Sequence, residues 1–242
     1  MGKYRLDVAE LRTVFGLAET AARRIRDFRA ERLTLIQNGE TPVPLLKGMK
    51  LVLHMVPFDS FTAGRSYDLS PFARDPQALP NISWKVHDGR YNFDGFVSCA
   101  SSLRLENPRL AYSYTQCFRN GILETLHMPY DPREDGNVKK TLSIEYEDML
   151  VRSVREFLKI QERMGVTFPV FALVSLLDIR GGFITTKGEF ADPLIDSTAF
   201  ARDDLILPEV VMEDSQCEVG DRMRPVFDIV LNTVGLEPNR SN

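Results

Sequence analysis

The sequence predicts an α+β fold: a mainly antiparallel sheet with packed helices and an N-terminal helical pair. Three observations carry that expectation. Asn120-Gly121 separates two runs of alternating polarity, residues 110–119 and 122–128, which is the pattern of a hairpin. Residues 50–56 (KLVLHMV) and 169–177 (PVFALVSLL) are apolar on both sides, as central strands covered on two faces are. Residues 145–164 repeat apolar side chains at helical spacing through Tyr146, Met149, Leu150, Val154, Phe157, Leu158 and Met164, and Gly165 stops the run.

In chain order, Asp7 and Glu10 form a D-x-x-E capping pattern, with Leu6 and Leu11 placed to close over it. The first helix then runs to about Phe15, where Gly16 is expected to break it. A second helix follows over residues 17–37, with an apolar stripe at Leu17, Ala21, Ile25, Phe28 and Leu35, and Asn38-Gly39 ends it. Two helices alone cannot bury both their faces, so residues 1–40 read as a helical appendage and 41–242 as the α+β domain.

Residues 58–80 show no period and hold Gly64, Pro71, Pro76 and Pro80, which predicts a long ordered loop. The sheet resumes near Tyr91 and includes 93–100. A two-residue type I′ turn at Asn120-Gly121 sets an expected register. Phe118 faces Leu123 and Tyr114 faces His127 on one side, and Cys117 faces Glu124 on the other. Residues 129–140 form a polar loop. Gly181-Gly182 turns the chain into 183–185. An acidic stretch, 189–218, reads mostly as loop with an apolar run at 205–212. A last helix spans about 219–234, started or kinked by Pro225.

Composition narrows the chemistry. The net charge is −4, which argues against a dedicated nucleic-acid binder. Charge is uneven, with eight basic residues against five acidic ones in 1–34, and ten acidic residues against Arg202 alone in 189–221. No secretory signal and no apolar run of spanning length is seen, so a cytoplasmic chain without membrane contact is expected. Cys99, Cys117 and Cys217 have no C-x-x-C spacing and read as reduced, small apolar fillers. No phosphate-binding glycine loop, G-x-S-x-G elbow or metal-ligand spacing occurs, so no cofactor or metal is expected.

Two constellations remain. His54 lies in one predicted strand, and His127 and Glu124 lie in the hairpin. If these strands neighbour one another, the three form a weak candidate for acid–base work; otherwise His54 is a satisfied core histidine. Arg23, Arg24, Arg26 and Arg29 lie on the second helix. They form a solvated face, a protein contact or a phosphate contact.

Several blocks in order resemble the C-terminal region of bacterial proteins that begin with a Schlafen AlbA-like domain. They are RRIRDFRAERL (23–33), PVPLLKGMKLVLHMVPF (42–58), NFDGF (92–96), QCFRNGILE (116–124), LILPEVVMED (205–214) and RPVFDIVLNTVG (224–235). GKYRLDVAEL resembles the junction that follows that domain. In that family the AlbA-like domain, labelled putative ATP-binding or DNA-binding, is the part tied to nucleic-acid binding or RNA cleavage. None of its residues match positions here. The resemblance therefore implies a non-catalytic regulatory, sensory or assembly module. Such a module associates with a protein partner or with itself, and meets nucleic acid directly or through the associated domain.

Overall fold

The computed structural model describes residues 8–101, 110–129, 140–186 and 192–237, with side chains from residue 19 onward. The expected capping pattern at Leu6 and Asp7, and most of the 129–140 loop, lie outside the described residues.

Strand β1 (Lys50–Pro57) is buried along its whole length, as its two-sided apolar pattern predicts. It lies between two antiparallel neighbours, β5 (Leu123–His127) and β7 (Val170–Leu177). Beyond β5 come β4 (Ala111–Phe118), β3 (Gly95–Ser101) and β2 (Asp88–Tyr91). On the other side β7 pairs with β9 (Leu205–Ile206) and β10 (Val210–Met212). All pairings in this eight-stranded sheet are antiparallel, and the fold is α+β. A separate parallel pair joins β6 (Thr141–Ser143) to β8 (Phe183–Thr185).

Alternation along β1 sends its side chains to two cores. Leu51, Leu53 and Met55 join the large cluster under α3 (Tyr146–Arg163) and α4 (Val219–Thr233). Val52 and Val56 face the opposite side, with Leu33 and Ile36 in one cluster and Ile25 in another. Those three residues belong to α1 (Val8–Gln37), which covers that second face.

Helix α1 is continuous, where a break at Gly16 was expected. A lone glycine costs a helix only about 1 kcal/mol relative to alanine, too little to stop one that continues on both sides. Within residues 58–80 the chain forms a short helix, α2 (Ser70–Arg74), where only loop was expected. Its cause is local: Asp68 accepts the Ser70 N–H at 2.9 Å, and Pro71 fits the first turn. Leu69, Phe72 and Leu79 anchor this stretch in the main core. Pro225 lies inside α4, and the run at 205–212 divides into β9 and β10.

The hairpin departs from expectation in a way that decides the site. Its loop has three residues, Arg119, Asn120 and Gly121. Phe118 N–H donates to Ile122 O at 2.9 Å, and Gly121 N–H donates to Phe118 O at 3.0 Å. Only Gly121 takes a positive φ, 85°, whereas a type I′ turn needs it at both central residues. The loop seats on Tyr67, whose N–H donates to Arg119 O at 2.8 Å and whose ring lies 2.8 Å from where a Cβ on Gly121 would sit. The longer loop shifts the register by one. Cys117 faces Leu123, Gln116 faces Glu124, and Tyr114 faces Leu126.

Candidate functional site

From Ile25 onward, the face that α1 lays on the sheet is Ile25, Phe28, Arg29, Arg32, Leu33 and Ile36, spaced three and one in turn. This is a helical stripe, and two of its six members are arginines. A buried arginine is tolerated only when its charge and donors are matched. Both arginines are matched, in different ways.

Arg32 meets Glu124. Its Nε donates to Oε2 at 2.8 Å and its Nη2 to Oε1 at 2.9 Å, a bidentate ion pair. Tyr114 Oη donates to Oε1 at 2.7 Å, and His54 Nε2 lies 3.0 Å from Oε2. Glu124, His54 and Tyr114 have no solvent exposure. Burial alone would raise the Glu124 carboxyl, but the hydrogen bonds and charges of Arg32 and His54 hold it down at about 2. An ionised carboxylate only accepts, so His54 Nε2 carries the proton in this contact. Burial, with the Glu124 charge beside it, pushes the Tyr114 hydroxyl well up. The Phe28 ring meets His54 edge-on at 5.6 Å, and the Arg32 guanidinium lies 5.3 Å from the centre of the Phe118 ring.

Among the described residues, Arg29 has no carboxylate in contact. Its Nε and Nη2 donate to Ser175 Oγ at 3.1 and 2.9 Å, its Nη1 to Leu207 O at 2.7 Å, and its Nη2 also to Val174 O. Burial lowers its guanidinium to about 10, against a smaller opposing effect of Glu209. One side chain thus ties α1 to β7 and to the segment between β9 and β10.

The sequence candidates therefore separate. His54 and Glu124 meet, as direct cross-strand partners on β1 and β5. His127 does not join them, because it lies three residues from Glu124 and so on the other face of β5. It pairs with Ser113 and Leu51 instead. The one-residue register shift accounts instead for Tyr114: it sets Tyr114 opposite Leu126 and so on the same face as Glu124. Arg29, expected on the open arginine face, is buried. Arg23, Arg24 and Arg26 are exposed, and Arg24 Nη1 donates to Phe61 O at 3.2 Å. Arg32 and Tyr114 were missed as site residues. A glutamate inside the apolar strand ILETLHM was the available signal, since it demands a buried counter-charge.

All four acceptor positions of the Glu124 carboxylate are taken and none is open to solvent. The cluster has no room for a substrate and acts as a clasp between helix and sheet. The cysteine thiols are raised, Cys117 by burial, and Cys99 and Cys217 by burial and nearby carboxylates. None is poised as a nucleophile. Among the described residues, no group of three or more His, Cys, Asp or Glu is placed to hold a metal ion, and no helix is long and apolar enough to cross a membrane.

Two of these groups set an acid dependence. His127 is half-buried, but its Nδ1 is out of contact with solvent and has no hydrogen-bond partner among the described residues. Burial, then the Lys85 charge, lowers it from 6.5 to about 4. The unfolded chain thus takes up this proton first. The stability from the neutral ring is complete above pH 6.5 and lost as pH falls through about 4. The Glu124 contribution is complete above its ordinary value of 4.5 and lost through about 2. Urea midpoints measured from neutral pH down to about pH 3 should therefore fall continuously. His127→Gln should flatten the upper part of that decline and leave the lower part intact. An upper limb unchanged in the variant would refute the assignment.

Comparison with protein-family models, with curated proteins and with solved structures found no match to this chain.

Proposed function

We propose that this chain is a non-catalytic regulatory or assembly module that works beside a nucleic-acid-handling domain of the Schlafen AlbA-like kind. It makes that contact through the outward face of α1. The division of the helix's arginines is the observation that carries this reading. Arg29 and Arg32 turn inward and fasten the helix, so Arg23 and Arg26 are held outward on a fixed platform. Among the described residues neither Arg23 nor Arg26 has a hydrogen bond or ion pair, so their charge is free to meet a partner. Glu124, His54 and Tyr114 lie sealed beneath the same helix with every acceptor position of the carboxylate taken, which favours a binding role over catalysis.

The test is the double variant Arg23→Glu/Arg26→Glu, whose fold is checked by circular dichroism. Calorimetric titration with a bacterial Schlafen AlbA-like domain should show binding that weakens at least about tenfold in the variant. Equal binding by both proteins, or none by the wild type, would overturn the proposal. The same proteins are then titrated with single-stranded RNA and duplex DNA at low and high salt. If the isolated wild-type chain binds with steep salt dependence and the variant does not, a nucleic-acid-binding module replaces the assembly reading.

A further inference from the structure

We propose that two copies of this chain join edge to edge through β2, continuing the sheet across a two-fold axis at Gly89. This surface lies apart from α1 and does not depend on the role given to that helix.

The sheet ends at β2, which among the described residues pairs only with β3. Asp88, Arg90 and Tyr91 are exposed. The opposite end of the sheet is a poorer template, because β9 and β10 are two and three residues long with Pro208 between them. The hydrogen-bonding direction of β2 follows from its turn. Asn92 N–H donates to Gly95 O at 2.9 Å, so 92 and 95 form a hydrogen-bonded pair. Alternation turns the backbone groups of Asp88 and Arg90 toward β3, and those of Gly89 and Tyr91 outward.

A two-fold axis perpendicular to a sheet keeps each face on its own side. The register must then place a residue opposite itself, or opposite one an even number away. In the single chain the Gly89 N–H donates to Asp88 Oδ1 at 2.8 Å. With Gly89 on the axis it exchanges that acceptor for the Gly89 carbonyl of the other copy, which frees the Asp88 carboxylate to meet Arg90 across the axis. Asp88 of each copy then lies opposite Arg90 of the other, twice over. These are non-hydrogen-bonded pairs, where side chains approach most closely and opposite charges stabilise. Within one strand the two are already 3.8 Å apart, so four charges alternate around the axis. Centring on Asp88 or Arg90 would set like charges face to face. The edge is therefore complementary to itself in one register, which is what an isologous contact requires.

Apolar exposure lies at the same place. Phe93, in the turn that follows β2, is 96% exposed, and Tyr91 is 50% exposed. In this register the turn carrying Phe93 runs past His87 of the second copy, toward the segment that bears its exposed Trp84. Pairing removes these aromatics from water.

Sedimentation of the full chain over a range of concentrations tests the proposal. Wild type should pass from monomer to dimer. Asp88→Arg and Arg90→Asp should each weaken association at least about tenfold, since each sets like charges opposite one another. An equimolar mixture of the two variants should form a heterodimer with near wild-type affinity, because every reversed residue then meets its opposite. Arg23→Glu/Arg26→Glu should leave the dimer unchanged. If a reversal fails to fold, Asp88→Asn and Arg90→Gln read the same contact. Each should weaken association, and mixing should not restore it. A wild type monomeric at millimolar concentration, a dimer indifferent to these changes, or folded reversal variants that do not associate when mixed would overturn the proposal.

Discussion

Replacing Arg32 with methionine is expected to destabilise the chain by about 3–5 kcal/mol, the range found when one partner of a buried ion pair is removed. For a chain of this size that lowers the melting temperature by roughly 10 °C or more. The loss comes chiefly from what is left behind. Glu124 stays fully buried and keeps His54 and Tyr114, but has lost its bidentate cation. Without Arg32, burial dominates and the carboxyl rises, so the variant folds best with Glu124 protonated. The sign of the pH dependence at this residue then reverses. A raised pKa contributes stability that is present at low pH and lost as pH rises. The difference between wild type and variant should thus shrink on acidification. The double variant Arg32→Met/Glu124→Gln should recover about half the loss, because a neutral amide still accepts from Tyr114. Urea denaturation at neutral and mildly acidic pH measures both effects. A deficit within about 0.5 kcal/mol of zero, the size of an ordinary surface change, would remove the clasp from the account.

Arg29→Met is expected to cost about 2–4 kcal/mol, by leaving the Val174 and Leu207 carbonyls and the Ser175 hydroxyl without this donor. Its behaviour should differ from that of Arg32→Met in two respects. With the guanidinium lowered only to about 10, Arg29 stays charged through the acidic and neutral range, so its deficit should not vary with pH there. Lysine should not substitute for it. A single ammonium cannot reproduce the planar fork that spans three acceptors on two segments. Hydrogen exchange localises the effect, with amides of residues 205–212 expected to exchange faster in the variant. Full rescue by Arg29→Lys would show that charge alone matters and that the fork does not.

The parts of this fold that could be read in the sequence are those where one local pattern dominates. Residues 50–56 and 169–177 declare buried strands because no solvent-facing alternation interrupts them. Helix α3 declares itself by a stripe that tertiary contacts only confirm. The site was half legible. His54 and Glu124 were placed together because both sit where only a neighbouring strand can satisfy them. His127 was grouped with them on the nearness of the strands alone, although alternation sets it on the opposite face of β5 from Glu124. The hairpin register, expected one residue out, turns on whether Asn120 adopts a positive φ, and an Asn-Gly pair fits both loops equally well. Tyr67, more than fifty residues upstream, packs against the loop, and no local pattern announces it. Arg29 and Arg32 were hidden by charge. An arginine on a helix reads as solvated until its acceptors are known, and those lie on distant strands. The positions themselves, four and seven residues after Ile25, fall on the apolar stripe.

The clasp also bears on the order of events during synthesis. Helix α1 leaves the ribosome before any of its buried acceptors exists. The glutamate that receives Arg32 follows 92 residues later, and the Leu207 carbonyl that receives Arg29 follows 178 residues after it. Until then Ile25, Leu33 and Ile36 have no sheet to cover them, and both guanidiniums remain in water. Helix α1 is thus made long before it is fastened, and the slow search that such distant contacts entail waits until residue 207 has been made. A ribosome stalled just before residue 207 would display α1 as an unseated, protease-sensitive helix, and one stalled well beyond it would not.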